Sequence, residues 1–294
     1  MQDEATLNLP EWMYASWREA YGEPVARTIA HARLLEPPLD ITVKEGAAGW
    51  AQKLGGVVLP TGSVRVAQAG KIEKLPGFEE GAWWVQDAAA ALPVKLLGDV
   101  HGQDVLDLCA APGGKTAQLL AAGAQVTAVD KSARRLALLR SNLERLRFRA
   151  EMIEADILKF KPEKLFDAIV LDAPCSATGT LRRHPEIAWH KKQEDVTDLA
   201  NLQRRLLSRV TGWLKPGGKL LYCVCSLQPQ EGELQLEAFH AAYPRYTIQP
   251  VPQNLEVFEI VDKNGALRTH PGLLKEAGGM DGFYAICLQS LKDL

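Results

Sequence analysis

Long apolar runs are missing from this 294-residue chain: no stretch approaches the roughly eighteen uninterrupted apolar residues of a membrane-crossing helix. A basic-then-apolar opening is missing too, since MQDEATLNLPEW is polar and acidic. Neither a membrane span nor a secretory leader is expected, and the cytoplasm is the expected compartment. Cysteine is scarce. The five cysteines, Cys109, Cys175, Cys223, Cys225 and Cys287, are odd in number and scattered, which argues for reduced thiols over a disulfide framework. A lone C-x-C at Cys223 and Cys225 with no matching pair is poor support for zinc, and no metal is expected. An excess of one charge is also absent: Lys and Arg number 34 against 36 Asp and Glu, for a net charge of −2. Attraction to nucleic acid therefore has to come from local patches. Internal repeats and low-complexity segments are absent as well.

What is present, from Asp104 onward, is a regular alternation of strand-like and helix-like segments that points to parallel βαβ units. DVLDLCA (104–110), QVTAVD (125–130), AEMIEAD (150–156), FDAIVLDAP (166–174) and KLLYCVCS are strand-like, and YTIQPV and FYAICLQS (283–290) close the sheet. A helix near 194–214 is expected to end at KPGG, where proline and glycine stop it. Residues 1–92 differ: a helical stretch from Glu11 to about Leu35 precedes the strand in PPLDITVK and a Gly- and Val-rich region suggestive of small antiparallel strands. The expected organisation is an α/β catalytic domain over 93–294 behind a smaller α+β module over 1–92.

In an open α/β sheet the ligand lies beyond the carboxyl ends of the strands. The first strand ends in CAAPGGKT, a glycine turn at a helix start, where N–H groups and the helix dipole meet a polar or anionic ligand. GKT invites a phosphate-loop reading, but Cys109 stands where that loop needs its first glycine. Asp130 ends the second strand, placed for both hydroxyls of a ribose, and Asp156 ends the third, placed for an adenine amino group. Taken singly, either aspartate serves equally well as a helix cap. With the glycine turn, the two favour an adenosine-type cofactor. Asp172, Pro174 and Cys175 end the fourth strand and Cys225 the fifth, so two thiols from neighbouring strands are expected to face one cavity. Burial in the core is the competing reading for a cysteine, and it is kept for Cys109, Cys287 and Cys223.

DLCAAPGGKT, VTAVD, EADI, DAPCSATGTLRRHPEIAW, YCVCS and DGFYA, in this order, resemble the RNA cytosine-C5 methyltransferases. The resemblance runs from LPGFEEGAWWVQDAAA (75–90) to the C-terminus, with weaker likeness around PEWM and EPPLDITVK. It implies a Rossmann-like class I S-adenosylmethionine-dependent methyltransferase sheet. It implies methyl transfer from S-adenosyl-L-methionine, leaving S-adenosyl-L-homocysteine, to carbon-5 of a cytosine in RNA. The likeness is strongest to the bacterial small-subunit rRNA branch, whose members carry a further NusB-like helical domain that has no counterpart here. A tRNA target, or an RNA-binding assembly protein that keeps the cofactor site without turnover, are the alternatives. By resemblance Cys225 is the nucleophile, Cys175 helps to release product, Asp172 holds the cytosine edge and Lys115 positions the target. Lys115 is already unusual, because a cation in a first helical turn opposes the helix dipole. Cys109, Ala110, Ala111, Pro112, Gly113, Gly114, Lys115, Asp130, Asp156 and Asp172 are implied around the cofactor. Val224 stands where the family usually has threonine, a swap of similar size.

The segment 131–149 carries seven Lys or Arg against Glu144 alone, a pattern most often just a solvated helix face. TLRRHPEIAWHKK (180–192) is the better RNA candidate, with Arg182, Arg183 and His184 placed to grip phosphates and Trp189 to stack or pack. A cytosine must leave its stack to be reached, so single-stranded or loop RNA, small-subunit rRNA first, is the expected partner of a monomeric enzyme.

Overall fold

The computed structural model describes residues 3–256 and 260–291. Three helices open the chain, α1 (Glu4–Leu7), α2 (Glu11–Tyr21) and α3 (Glu23–Ala32). The single helix expected from Glu11 to about Leu35 is therefore two. Gly22 takes φ 79°, a conformation that ends α2, and Pro24 sits in the first turn of α3, where a missing N–H costs nothing. Met13, Trp17 and Ile29 from this hairpin pack with Leu181 and Leu227 of the later chain. Each such side chain contributes about 1.5–3 kcal/mol of burial. Tyr21 Oη donates to the Leu227 carbonyl at 2.6 Å and Ser16 Oγ to Gln228 Oε1 at 2.7 Å, so the hairpin braces the segment just after Cys225.

A small antiparallel sheet follows. Its strands β1 (Leu39–Val43), β2 (Val57–Val58), β3 (Val64–Val66) and β4 (Trp83–Val85) lie in the order β2-β3-β1-β4, with α4 (Ala47–Leu54) between β1 and β2 in sequence. Ile41, Ala51, Val64, Val66 and Trp83 form a core of their own beneath it. The bidentate pair of buried Arg65 and Asp40, at 2.6 and 2.7 Å, ties β3 to β1.

After α5 (Leu92–Lys95) comes the large sheet: β5 (Asp104–Leu108), α6 (Gly114–Ala121), β6 (Gln125–Asp130), α7 (Ala133–Arg145), β7 (Glu151–Glu154) and β8 (Phe166–Asp172). Then follow α8 (Ile187–His190), α9 (Gln193–Val210), β9 (Leu214–Val224), α10 (Glu233–Ala242), β10 (Tyr246–Ile248), α11 (Gln253–Glu256), β11 (Leu267–Arg268) and β12 (Tyr284–Ser290). The sheet order is β10-β12-β9-β8-β5-β6-β7, with β11 paired to β12. Strands β5 to β9 run parallel and β12 enters antiparallel between β9 and β10. This is the expected Rossmann-like sheet, and its order reverses at β5 and β8. The reversal opens the crevice in which such folds bind ligands.

Local chemistry explains the elements. In α7, Leu136, Leu139 and Leu143 recur at helical spacing and are buried, while the Ser132 hydroxyl caps the first turn by accepting from the Arg135 amide. The helix expected to stop at KPGG ends earlier, at Val210, and KPGG lies inside β9. There Phe166 pairs with Leu214 but Ala168 with Lys219, so the extra residues bulge outward around Pro216 and Gly217, the latter at φ 76°. Proline and glycine are tolerated at such a bulge. Among the described residues no helix is long and apolar enough to cross a membrane.

Candidate active site

The turn from β5 into α6 is shaped by residues that hold unusual backbone angles. Cys109 sits at φ 59° and Gly113 at φ 108°. A Cβ at Gly113 would lie 2.3 Å from Leu139 Cδ1, so only glycine lets the turn settle against α7. Below it, Asp107 is fully buried: Thr116 Oγ1 donates to its Oδ2 at 2.6 Å, and its Oδ1 has no partner. Burial, offset in part by the Thr116 bond, pushes the Asp107 carboxyl up to about 7.

Asp130, at the end of β6, is buried. Its oxygens accept from the amides of Ala111 at 3.4 Å and Ser132 at 3.1 Å, and Arg135 lies at 3.2 Å. Asp156 is exposed and accepts from the Leu158 amide at 2.9 Å, holding the turn after β7. Neither carboxylate is a helix cap, since Ser132 caps α7 and a turn with no helix follows Asp156; each holds the turn after its strand, and Asp156 keeps an accessible face as well.

Asp172, a third exposed, accepts from Lys115 Nζ at 2.9 Å and from Cys223 Sγ at 3.4 Å. Lys115 is buried, and its ammonium also lies over the Phe283 ring, 5.0 Å from the centroid. Burial alone would lower the lysine's pKa, but the Asp172 carboxylate outweighs it and the lysine is held charged, above its ordinary value. The lysine in the first turn of α6 is therefore no solvated surface group.

The two expected thiols meet. Cys175 Sγ and Cys225 Sγ are 3.4 Å apart, although both residues lie just past the ends of β8 and β9. The hydrogen bond to Cys225, reinforced by burial, raises Cys175 well above an ordinary thiol. Cys225 opens onto a cavity of about 440 Å³ that it shares with Gly113, Lys115, Asp172, Arg183 and Phe283. Ala110, Pro112 and Gly114 also border it, as do Phe78, Trp84 and Gln86 from the chain before β5. Cys109, Ala111, Asp130, Asp156, Cys175, Arg182 and His184 lie outside that lining. Cys223 and Cys287 are buried in the core, as the packing reading has them.

Arg182 requires a correction. It was expected to grip phosphate, but it is buried, donating to Asp87 at 2.6 Å, to Asp281 at 2.9 Å and to the Gly278 carbonyl at 2.9 Å. Its charge is spent inside the protein. Arg183, a third exposed, bonds the other oxygen of Asp281 and lines the cavity. His184 is exposed, 3.2 Å from Glu186. Trp189, 64% exposed, is not a core residue.

Several residues around the site went unnoticed in the sequence. Asp281 and Phe283 belong to DGFYA, and Trp84, Gln86 and Asp87 to WWVQDAAA, stretches that carried the resemblance without any role attached. Glu231 gave no signal at all. Among the described residues no group of three or more His, Cys, Asp or Glu is placed to hold a metal ion.

A family model described as 16S rRNA methyltransferase RsmB/F matches residues 94–289. Ribosomal RNA small subunit methyltransferase B of Klebsiella pneumoniae is 39% identical over 251 residues, which is 80% of this chain and 58% of that protein. The protein of the same name from Cronobacter sakazakii is 41% identical over 231 residues, 76% of this chain and 51% of its own. The chain thus spans about half the length of the curated relatives it matches. Among solved structures, a methyltransferase homolog protein from Pyrococcus horikoshii superposes with a TM-score of 0.79 at 24% identity, covering 97% of each chain. NSun6 from Pyrococcus horikoshii, solved with SFG, gives a TM-score of 0.79 at 18% identity over 97% of this chain and 99% of that one. At these identities the structures speak for the fold alone.

Proposed function

Because the chain belongs to the 16S rRNA methyltransferase RsmB/F family, we propose that it methylates carbon-5 of a cytosine in RNA, 16S rRNA first, through a covalent adduct on Cys225. The observation that carries this reading is the 3.4 Å approach of Cys175 and Cys225 at a cavity bordered by Gly113 and Asp172. Residues 1–92 serve as the module that presents RNA, supported by Phe78 and Trp84 on the cavity wall, and 93–294 as the catalytic domain. An rRNA substrate places the work in the cytoplasm, and the chain acts as a monomer.

S-adenosylmethionine fits the residues present. Asp107, Asp130 and Asp172 interact through their charges around the glycine turn, and the buried Asp107 Oδ1 is an acceptor without a donor. Asp172 is balanced by Lys115 and Asp130 by Arg135, so the unfilled Asp107 acceptor is what suits a ligand that carries a cationic or N–H donor, as this one does. The turn Cys109–Ala110–Ala111–Pro112–Gly113–Gly114 with Lys115, and the strand-end carboxylates Asp130, Asp156 and Asp172, would hold it. When bound it supplies an electrophilic methyl group.

Carbon-5 of cytosine is too weak a nucleophile to accept that methyl unaided. The Cys225 thiolate adds to carbon-6, and the electron pair displaced from the ring double bond makes carbon-5 electron-rich. Asp172, anchored by Lys115, accepts from the amino group of the base and from its ring nitrogen in the protonated adduct, which it favours. Once carbon-5 is methylated, its remaining proton must leave as the carbon–sulfur bond breaks. Cys175 is placed to assist that elimination. Its hydrogen bond to Cys225 and the Cys225 charge are among the causes that keep it a thiol, and both are removed when Cys225 is bonded to carbon. Cys175 thus becomes easier to ionise at the step that needs a base.

The test is transfer of a labelled methyl group to small-subunit rRNA, tRNA and DNA, followed by mapping of the modified base. Label at carbon-5 of a cytosine in small-subunit rRNA supports the proposal. Label confined to tRNA moves the target, and label in none of the three, from folded protein, leaves an RNA-binding assembly role in its place.

A further inference from the structure

We infer that Glu231 is a positioning residue that sets the spacing of the two thiols. It is fully buried, on the turn Pro229–Glu231 that follows Cys225. Four donors converge on its carboxylate. Oε1 accepts from the Ser176 amide at 2.8 Å and from Gln203 Nε2 at 3.0 Å, and Oε2 accepts from the hydroxyls of both Ser176 and Ser226. Ser176 directly follows Cys175 and Ser226 directly follows Cys225, so each thiol is one residue from a group bonded to the same oxygen.

The surrounding bonds close the clamp. The two serine hydroxyls lie 3.1 Å apart, Gln203 Nε2 also donates to the Pro174 carbonyl at 2.9 Å, and Tyr222 Oη donates to the Glu231 carbonyl at 2.7 Å. Strand pairing ends with Asp172 opposite Cys223, and beyond it the Gly179 amide donates to the Cys225 carbonyl at 3.0 Å and the Leu227 amide to Thr178 Oγ1 at 3.1 Å, bonds that join the loops without reaching the residues next to both thiols at once. The Glu231 carboxylate adds the bond that reaches the residue after each thiol at once. Buried carboxylates satisfied by this many donors rigidify what they join, and losing one strands every donor at once. Glu231 lies outside the cavity lining, so it acts through the two loops.

This inference rests on the reading of Cys175 and Cys225 as the reacting pair, yet it is testable without RNA or cofactor. Dibromobimane, which becomes fluorescent on capturing two neighbouring thiols, reads their spacing directly, and Cys175→Ala sets the background. The wild-type protein is expected to bridge. Glu231→Gln keeps the shape, and both hydroxyls can turn to accept from its amide, so bridging should stay within about threefold of wild type. Glu231→Ala should slow it at least about tenfold. Ser176→Ala and Ser226→Ala, which keep the carboxylate, should each slow it about threefold, with the double variant less than multiplicative because both act on one group. These serine variants carry the test if Glu231→Ala fails to fold.

Any of these outcomes overturns the inference: a wild-type protein that does not bridge, serine variants that bridge at the wild-type rate, or a lowered melting temperature in Glu231→Ala with unchanged bridging, which marks a merely structural group. Loss of bridging in Glu231→Gln equal to that in Glu231→Ala overturns it as well. Normal bridging in a wild-type protein that methylates no nucleic acid refutes the proposed function and leaves this inference standing.

Discussion

Replacing Arg182 with methionine removes the guanidinium and keeps most of the stem. What is lost are the bonds to Asp87 at 2.6 Å, to Asp281 at 2.9 Å and to the Gly278 carbonyl at 2.9 Å. Deleting one partner of a buried ion pair costs about 3–5 kcal/mol. Two compensations hold this case near the lower end. Asp281 keeps Arg183, and Asp87 keeps the amides of Ala89 at 2.8 Å and Asp281 at 3.0 Å. A loss of about 3 kcal/mol at pH 8 is expected. The pH dependence follows from the carboxyl groups. In the intact protein, burial and then the Asp87 charge push Asp281 up to about 6 from its ordinary 3.8. Between those values the folded state binds more protons than the unfolded state, so this group makes stability fall as pH rises from 3.8 to about 6 and leaves it low above. Arg182 opposes burial at both Asp281 and Asp87, so its loss moves that window upward. Proton uptake then relieves part of the deficit at pH 5 and little of it at pH 8. At about 1.4 kcal/mol per unit, the deficit should shrink by about 1–2 kcal/mol between pH 8 and pH 5. Urea unfolding of both proteins at the two pH values, with slopes compared, measures it. A deficit under about 1 kcal/mol at pH 8, or one that grows toward pH 5, refutes the buried-brace reasoning.

Other perturbations separate the remaining roles. Cys225→Ser should abolish both methyl transfer and the covalent RNA adduct, whereas Cys175→Ala should accumulate the adduct as slow-migrating protein on a denaturing gel; turnover in the first or no accumulation in the second contradicts the assignments. Asp107→Asn removes a carboxyl that burial has raised to about 7, a group that makes stability fall as pH climbs from 3.8 to about 7. The asparagine variant should therefore gain on the wild type between pH 5 and pH 8, by about 2–3 kcal/mol, and parallel stability profiles would sink the argument. Gly113→Ala forces a Cβ to 2.3 Å from Leu139 Cδ1 at a φ of 108°, and should cost about 2–3 kcal/mol together with cofactor affinity, read by thermal melting and ligand titration. Arg183→Glu should weaken RNA binding at moderate salt and flatten its salt dependence by about one unit of slope, and an unchanged slope removes Arg183 as a phosphate contact.

The sequence made legible what repeats along the chain, and hid what closes across it. Strand-end Asp172, Cys175 and Cys225 were readable because an apolar run that stops at a turn marks a sheet edge, and two neighbouring runs bring their edges together; the 3.4 Å thiol pair is the consequence. Lys115 stood out for a similar reason, since a cation in a first helical turn opposes the dipole, and its partner Asp172 sits 57 positions away. Nothing of the kind flags Arg182. Its partners Asp87 and Asp281 lie 95 and 99 positions off, on opposite sides of it in the chain, and such pairing leaves no period to read. Adjacent Arg183 looks identical in the sequence, yet successive side chains on a tight turn diverge by about 120°, so one arginine is driven inward and the next faces the cavity. Glu231 is the same case carried further. As one acidic residue in QPQEGE it gives no signal, but in the fold it is a point where two thiol-bearing loops, fifty positions apart at their cysteines, are bonded together. The meeting of the two thiols was therefore visible from strand ends, while the clamp beside them depends on folding to bring four donors to one buried acid.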